Sequence, residues 1–224
     1  PLVVADVEVP DLDVGQVLVD LAYSGICGKQ LEEISGKRGP DAYLPHLLGH
    51  EGAGVVKAIG PGVRKVKPGD HIVLHWVKGS GIDSAPPRYD WDGTSVSAGW
   101  VTTFSQQTIA SENRVTVIDP DIDLEVAALL GCAVTTGLGI VFNNAALMPG
   151  QSIAVFGVGG IGLNVLQGAA LVNAHPIVAI DLHDHKLEQA LKFGATHVVN
   201  ASTQDVSEFL RDLVGPNGFD ATVD

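Results

Sequence analysis

A glycine-rich turn between a strand-like run and a helix-like run constrains the fold of this 224-residue chain more than any other feature. In SIAVFGVGGIGLNVLQGAA, Gly157, Gly159 and Gly162 have the spacing G-x-G-x-x-G. That spacing alone is a weak signal, because glycines also serve ordinary turns. Here a predicted strand at 152–156 precedes the turn and a predicted helix near 160–172 follows it. This context indicates a βαβ unit that binds a dinucleotide.

The next apolar run, PIVAID, supplies a carboxylate at the expected place. It predicts a strand that ends in Asp181, 19 positions after Gly162 (181 − 162). In a βαβ unit such a carboxylate reaches the ribose diol of a cofactor whose pyrophosphate lies on the helix N-terminus. Asp181 would repel a 2′-phosphate, so we expect NAD rather than NADP. The alternative is a tight strand-to-helix turn followed by a surface aspartate.

The pattern of the sequence changes near residue 120. Residues 1–120 consist of short apolar runs punctuated by Gly, Pro and Asp, which predicts a β-rich domain. Residues 121–224 begin with a helical stretch to about 147 and then alternate between strand and helix patterns. Such alternation is typical of an α/β domain with a parallel sheet. Further elements are expected in this half, namely a strand at 197–200 and helices near 185–193 and 204–214.

The sequence also predicts one long loop and suggests how the chain ends. Residues 78–100 are rich in Gly, Pro, Ser and Asp, which predicts a long surface loop. The sequence starts without Met, and Phe219 to Asp224 has the pattern of a strand that is just beginning. We therefore expect that these residues are part of a longer chain.

Charge and composition argue against several classes of partner. A net charge of −13 disfavours binding to nucleic acid phosphates or to an acidic membrane surface, which both require clustered Lys and Arg. No apolar run reaches the roughly 18 residues of a membrane span. Two cysteines cannot form a disulfide framework and no secretory leader opens the chain, so a cytoplasmic protein is expected.

The two cysteines and one histidine suggest a metal site. Cys27 lies in SGICG, His50 in LLGHEGAGVV beside Glu51, and Cys132 in LLGCAVTTG. A single free cysteine is more often a small buried apolar residue than a ligand. Together, however, Cys, His and Cys match a catalytic zinc site, which uses three protein ligands and keeps a fourth position open. The spacing alone leaves both interpretations open.

Several long segments resemble the medium-chain, zinc-dependent alcohol dehydrogenases. They include GQVLVDLAYSGICG, LLGHEGAGVVKAIGPGVRKVKPGDHIV, LLGCAVTTG and SIAVFGVGGIGLNVLQGAA. The resemblance implies an α/β protein with an N-terminal, β-rich, GroES-like catalytic domain at 1–120. Linker helices and the first half of a Rossmann NAD-binding domain would then occupy 121–224. It also implies one catalytic zinc ion per chain, because 78–100 lacks the four cysteines that bind a structural zinc in many members.

The same resemblance assigns residues to roles. Cys27, His50 and Cys132 would bind the zinc ion, with Glu51 as a carboxylate that can approach it. Trp76 and Phe104 would line the substrate pocket. In the glycine turn, the cofactor residues implied are Gly157, Gly159, Gly160, Ile161 and Gly162. Asp181 would bind the ribose diol, Lys186 would lie beside the adenine ribose, and Thr136 would lie against the nicotinamide.

Three positions after Cys27 depart from the family pattern. Lys29 replaces the usual Ser or Thr that starts a proton relay, and a lysine serves there only if its pKa is lowered; otherwise it is a solvated cation. Gln30 replaces an Asp that orients the zinc-bound histidine; its carbonyl could still accept a hydrogen bond from His50 but adds no charge, which would lower the metal affinity. Gly28 stands where many alcohol-oxidising members carry Arg or His, which is closer to the polyol and threonine dehydrogenases.

The leading expectation is an enzyme that transfers hydride between NAD and an alcohol or polyol, or the matching aldehyde or ketone, with zinc as Lewis acid. One alternative is a degenerate homologue that binds NAD or zinc as a sensor or scaffold. A second is a zinc-independent quinone or enone reductase, whose members lack the Cys, His, Cys set. The family sheet has six strands and this sequence ends as the fourth begins. A homo-oligomer would therefore form through the remaining strands.

Overall fold

The computed structural model describes residues 2–37 and 39–224, and the contacts within it divide the chain into two units, Pro1–Cys132 and Ala133–Asp224. Each unit has its own sheet and its own apolar core. The predicted change from a β-rich part to a part in which strands and helices alternate is confirmed. The domain limit at residue 120 stays a prediction.

The first unit is built on a five-stranded antiparallel sheet. Its strands are β1 (Gln16–Ser24), β2 (Glu51–Ile59), β3 (His71–His75), β6 (Gln107–Ser111) and β7 (Val115–Val117), in the order β6-β1-β2-β3-β7. Alternating apolar residues such as Val17 and Val19 in β1, and Ile72 and Leu74 in β3, point into one core and are fully buried.

One helix in the first unit is not predicted from the sequence. Helix α1 (Gly28–Ser35) begins directly after Cys27 and ends at Gly36, whose φ of +69° suits glycine. Its sequence GKQLEEIS is short and has few apolar residues, so its helical period is hard to detect. The helix matters because it fixes the position of Cys27 and buries Gln30.

The prediction of a surface loop at 78–100 is wrong in part. This segment contains a hairpin of β4 (Arg88–Trp91) and β5 (Thr94–Ser97), which pair antiparallel. Tyr89 and Val96 of the hairpin are buried in a small apolar cluster. Its few apolar residues are enough for a core because they alternate with polar ones and so share one face.

The predicted helical stretch from 121 to 147 is present but broken. Helix α2 (Leu124–Ala128) and one 3-10 turn (Leu129–Gly131) end the first unit. Helix α3 (Ala133–Gly139) opens the second unit and is followed by a wider turn at Ile140–Asn144.

The second unit alternates strands and helices as predicted. The predicted elements are observed within two residues of their expected limits: β8 (Ile153–Phe156), α4 (Gly160–Leu171), β9 (Ile177–Asp181), α5 (Asp184–Lys192), β10 (His197–Asn200), α6 (Val206–Val214) and β11 (Ala221–Val223). The four strands form a parallel sheet in the order β10-β9-β8-β11. The strand expected at the end of the sequence, β11, pairs with β8, which confirms it.

Across the described ranges, no single helix is long and apolar enough to cross a membrane. One pair of consecutive helical segments, Leu124–Gly131 with Ala133–Asn144, meets the criterion on length and composition alone.

Candidate metal centre and nucleotide site

Three metal-binding side chains meet in the first unit. The ligand atoms of Cys27, His50 and Cys132 all lie within 4.8 Å of one another, the only such group of His, Cys, Asp and Glu found in the described chain. Cys27 caps α1, His50 directly precedes β2, and Cys132 follows the 3-10 turn. The fold therefore brings together the three residues that the sequence suggests as zinc ligands.

The two ring nitrogens of His50 have different neighbours. Nε2 lies 3.2 Å from Sγ of Cys132, and Nδ1 lies 2.6 Å from the side-chain amide of Gln30. A histidine that binds a metal through Nε2 carries its proton on Nδ1 and needs a hydrogen-bond acceptor there. The orientation of His50 therefore fits coordination through Nε2.

Gln30 can supply that acceptor. Its side chain is 2% exposed, its Nε2 faces His50, and its buried Oε1 has no hydrogen-bond partner. The two ends of a glutamine amide have nearly the same shape. With the amide turned by 180°, Oε1 accepts from Nδ1–H and the amide nitrogen takes the position of the unpartnered oxygen. Two thiols, one oriented imidazole and this buried acceptor fit a zinc ion.

Burial keeps His50 in the metal-binding form. Desolvation lowers the pKa of His50 below its usual value, and the positive charge of Lys29 lowers this pKa further, while Glu33 opposes the shift. A neutral imidazole is the form that coordinates a metal. Lys29 itself pairs with Glu33 one turn along α1, and its side chain is 47% exposed. This pairing is what a solvated surface cation would show.

Glu51 is buried beside the donor group but is not a member of it. A Cβ atom at Gly25 would lie 2.7 Å from Cδ of Glu51, and one at Gly131 would lie 2.9 Å from Cβ of Glu51. The Glu51 side chain thus occupies the space that these two glycines leave open. The sequence analysis does not predict this packing role for either glycine, although each lies within two positions of a cysteine.

Two partly exposed aromatic side chains flank the segment that carries His50. Phe104 donates its backbone N–H to the carbonyl of Leu48 at 2.9 Å, and its ring abuts Gly49. Trp76 follows His75, whose Cα pairs with that of Glu51 in the β2/β3 ladder. His50 and Trp76 are the next residues along their two strands after this pair. Both aromatic side chains are partly exposed, so their apolar rings are open to a ligand.

The glycine turn of the second unit connects β8 to α4. Gly157 has a φ of +85°, and a Cβ atom at Gly162 would collide with the carbonyl oxygen of Gly157. Gly159 caps the helix, Gly160 is its first residue, and Ile161 is partly exposed. Backbone N–H groups of a helix N-terminus can therefore approach an anion here without obstruction from side chains.

Asp181 lies at the carboxyl end of β9 and is held against the same turn. Its Oδ2 accepts from the N–H of Val158 at 3.0 Å, and its Oδ1 accepts from the N–H of His183 at 3.1 Å. Burial alone would raise the pKa of Asp181, but these N–H donors and the charge of Lys186 lower the pKa below its usual value. The Lys186 Nζ atom lies 3.6 Å from Oδ2. The carboxylate is therefore ionised and fixed.

The threonine expected near the nicotinamide lies in the same unit. Thr136 is half-buried in α3, next to Gly137. A Cβ atom at Gly137 would lie 2.8 Å from the carbonyl oxygen of Ile161. Helices α3 and α4 therefore pack closely at this point, and Thr136 lies in the part of α3 that is next to the glycine turn.

Comparison with known proteins finds a matching family for each half of the chain. A sequence model of the alcohol dehydrogenase GroES-like domain matches residues 13–120, and one of the zinc-binding dehydrogenase family matches residues 160–224. The chain is 35% identical over 240 residues to S-(hydroxymethyl)glutathione dehydrogenase of Escherichia coli O1:K1. That match covers 95% of this chain and 65% of the relative. The chain thus spans just under two thirds of that relative's length.

Solved structures give the same result. An alcohol dehydrogenase zinc-binding domain protein from Burkholderia ambifaria superposes with a TM-score of 0.86 at 30% identity, over 95% of this chain and 64% of that protein. Benzyl alcohol dehydrogenase from Acinetobacter calcoaceticus superposes with a TM-score of 0.81 at 29% identity, over 92% and 62%. The expected GroES-like and Rossmann-like folds are confirmed. The chain belongs to the medium-chain, zinc-binding alcohol dehydrogenase family.

Proposed function

We propose that this chain forms the catalytic centre of a zinc- and NAD-dependent oxidoreductase. It would transfer hydride between the nicotinamide and an alcohol or polyol, or the matching aldehyde or ketone. The observation that carries the proposal is the meeting of Cys27, His50 and Cys132 within 4.8 Å, with His50 contacted by the buried amide of Gln30. The names of relatives that act on hydroxymethyl-thiol and benzyl alcohols support it.

The proposal gives each residue of the candidate metal centre a task in this reaction. Cys27, His50 and Cys132 would hold the metal ion, and Gln30 would keep the His50 proton on Nδ1. Bound zinc supplies Lewis acidity, which lowers the pKa of a coordinated hydroxyl group. Trp76 and Phe104 would exclude water and orient the substrate. Glu51 is proposed as a buried carboxylate that tunes the charge next to the donors.

The cofactor tasks fall to the second unit. N–H groups at Gly159, Gly160, Ile161 and Gly162 would bind the pyrophosphate, with Gly157 shaping the turn. Asp181 would accept hydrogen bonds from the ribose diol, and its charge favours NAD over NADP. Lys186 would lie beside the adenine ribose, and Thr136 against the nicotinamide. Lys29 stays a predicted proton-transfer group, although its pairing with Glu33 favours the alternative of a solvated cation.

The test uses the full-length protein and a matched pair of variants. We expect about one zinc per chain by elemental analysis, and NADH formation from NAD with at least one compound in a panel of alcohols, polyols and hydroxymethyl-thiol adducts. His50→Asn should lose both zinc and activity. His197→Asn, the same change in a histidine outside the donor group, should keep both.

Two results would contradict the proposal. Full activity after removal of zinc would favour the zinc-independent reductase. Stoichiometric zinc and tight NADH binding without turnover of any compound in the panel would favour the sensor or scaffold.

A further inference from the structure

Arg114 is a buried cation that lies outside the donor group. It ends the 3-10 turn Glu112–Arg114 between β6 and β7 and is 8% exposed. Within the described part of the chain, no carboxylate forms an ion pair with its guanidinium, and its Nε has no hydrogen-bond partner. Burying a charge without a counter-charge is costly. The contacts that Arg114 does make therefore indicate why it is there.

Both of those contacts are to tryptophan residues. Its Nη1 donates to the carbonyl oxygen of Trp76, and its Cζ lies 5.1 Å from the ring centre of Trp100. A planar guanidinium can donate in its plane and stack on an aromatic face at the same time, which lysine cannot do. Trp76 and Trp100 are 52% and 49% exposed. Arg114 thus contacts the backbone of one half-exposed tryptophan and the ring of another.

The two tryptophans belong to the two segments that flank His50. Trp76 follows the end of β3, one step beyond the Glu51/His75 pair. Trp100 is four positions before Phe104, and the Phe104 N–H bonds to the carbonyl of Leu48. Arg114 therefore connects the two stretches of chain that carry the proposed walls of the substrate pocket.

We propose that Arg114 is a positioning residue that sets the separation of these two segments and so determines which substrates fit by size. The proposal rests on the proposed function, because it requires that Trp76 and Phe104 line the pocket. Loss of the guanidinium would release the Trp76 backbone and the Trp100 ring together. Recognition of a bulky alcohol depends on this wall, whereas recognition of a two-carbon alcohol depends mainly on the donor group.

The first test compares a bulky with a small substrate in the full-length protein. In Arg114→Lys and Arg114→Met, we expect the ratio of kcat/KM for benzyl alcohol to that for ethanol to fall about tenfold, mainly through KM. The zinc content and the kcat for ethanol should stay within about twofold, because the two contacts of Arg114 described above are to tryptophans and not to a zinc donor. Arg88→Met is the control, because Arg88 is an exposed arginine on β4. An equal loss for both substrates would show a purely structural role and overturn the proposal.

The second test is independent of turnover. In a background where Trp91 and any tryptophan outside these 224 residues are replaced by Phe, only Trp76 and Trp100 remain as tryptophans. Arg114→Met should then increase quenching of their fluorescence by acrylamide, and Arg88→Met should leave it unchanged. Unchanged quenching would refute the positioning role. If the parent protein oxidises no alcohol while quenching does increase, the proposed function fails and Arg114 is shown to hold the two tryptophans without serving a substrate pocket.

Discussion

At the scale of single residues, His50 and Gln30 decide how well the donor group can hold a metal. Gln30 is neutral, so it orients the imidazole without adding negative charge next to the two thiols. Its amide is buried, and the only described hydrogen bond of its side chain is to His50. In the proposed zinc site, the metal affinity would therefore depend in part on a hydrogen bond of Gln30, which is not itself a ligand.

We predict that Gln30→Leu weakens zinc binding about 10-fold to 100-fold, the usual effect of losing a partner of a metal-bound histidine. The physical reason is that the Nδ1 proton loses its acceptor and the ring is no longer held with Nε2 toward the cysteines. Competition with a chromophoric chelator measures the affinity directly. Gln107→Leu is the control, since Gln107 is a glutamine of the same unit whose amide bonds only Asp20 on the surface. Equal zinc affinity in both variants would contradict the assigned role.

The sequence predicts which residues meet in the donor group but not how they are oriented. Cys27, His50 and Cys132 follow from residue type and from the resemblance to a metal-dependent family. The contact of Gln30 with His50 is expected from the resemblance, but which ring nitrogen it meets depends on helix α1, which is not predicted. The roles of Gly25 and Gly131 depend on where the Glu51 side chain lies. These features are set by packing between distant segments, which a local pattern does not contain.

At the scale of elements, a single carboxylate ties several loops of the first unit together. Glu112 is buried, its Oε1 accepts from the N–H groups of Arg64 and Lys65, and its Oε2 accepts from that of Ile82. Burial alone would raise the pKa of Glu112, but these three N–H donors and the charge of Lys65 lower the pKa below its usual value of 4.5. The ionised form is therefore part of the folded structure.

We predict that Glu112→Gln lowers the free energy of unfolding by about 1–3 kcal/mol at pH 7, because one acceptor becomes an NH₂ group that faces a backbone donor. The folded-state pKa is lowered, so the stabilisation by Glu112 is complete above its unfolded-state pKa and is lost as the pH falls through the folded-state pKa. The difference between the parent and Glu112→Gln should shrink over this acidic range. Urea unfolding at several pH values measures it, with the exposed Glu125→Gln as control. A difference that is constant with pH would contradict the explanation.

The turn between β8 and α4 offers a second comparison at this scale, between two glycines of one motif. In Gly162→Ala the new methyl group would collide with the carbonyl of Gly157, whereas in Gly160→Ala it would meet only Cβ of Ala133 at 3.7 Å, an ordinary contact. We predict that Gly162→Ala lowers the unfolding free energy of the second unit by about 1–3 kcal/mol, as overpacking does. Gly160→Ala should unfold like the parent in the same urea titration. Similar loss in both variants would show that close packing at Gly162 is not the reason for its presence.

At the scale of the whole chain, the two candidate sites lie in different units. The metal donors all belong to Pro1–Cys132, and the glycine turn with Asp181 belongs to Ala133–Asp224. Each unit has its own core, so each site is built on a separate framework. The alternation of strands and helices was sufficient to predict the second unit nearly element by element. The first unit was harder, because the hairpin at 88–97 and helix α1 are short and largely polar.

We predict different patterns of protection when the two ligands are added separately. Zinc should slow amide hydrogen exchange around Cys27, His50 and Cys132, because it joins three segments that are otherwise held by packing. NADH should slow exchange in the turn at 157–162 and after Asp181. Mass spectrometry of peptic fragments resolves these regions. Protection of the glycine turn by zinc, with none around His50, would contradict the assignment of the donors.

The spread of the three donors along the sequence also matters while the protein is being made. Cys27 and His50 are synthesised before Cys132, which is the last residue of its unit. A growing chain would therefore expose only two of the three proposed zinc ligands until the end of this unit has been synthesised. In the proposed zinc site, tight capture of zinc would wait for Cys132, so metal loading would coincide with the completion of this folded unit on the ribosome.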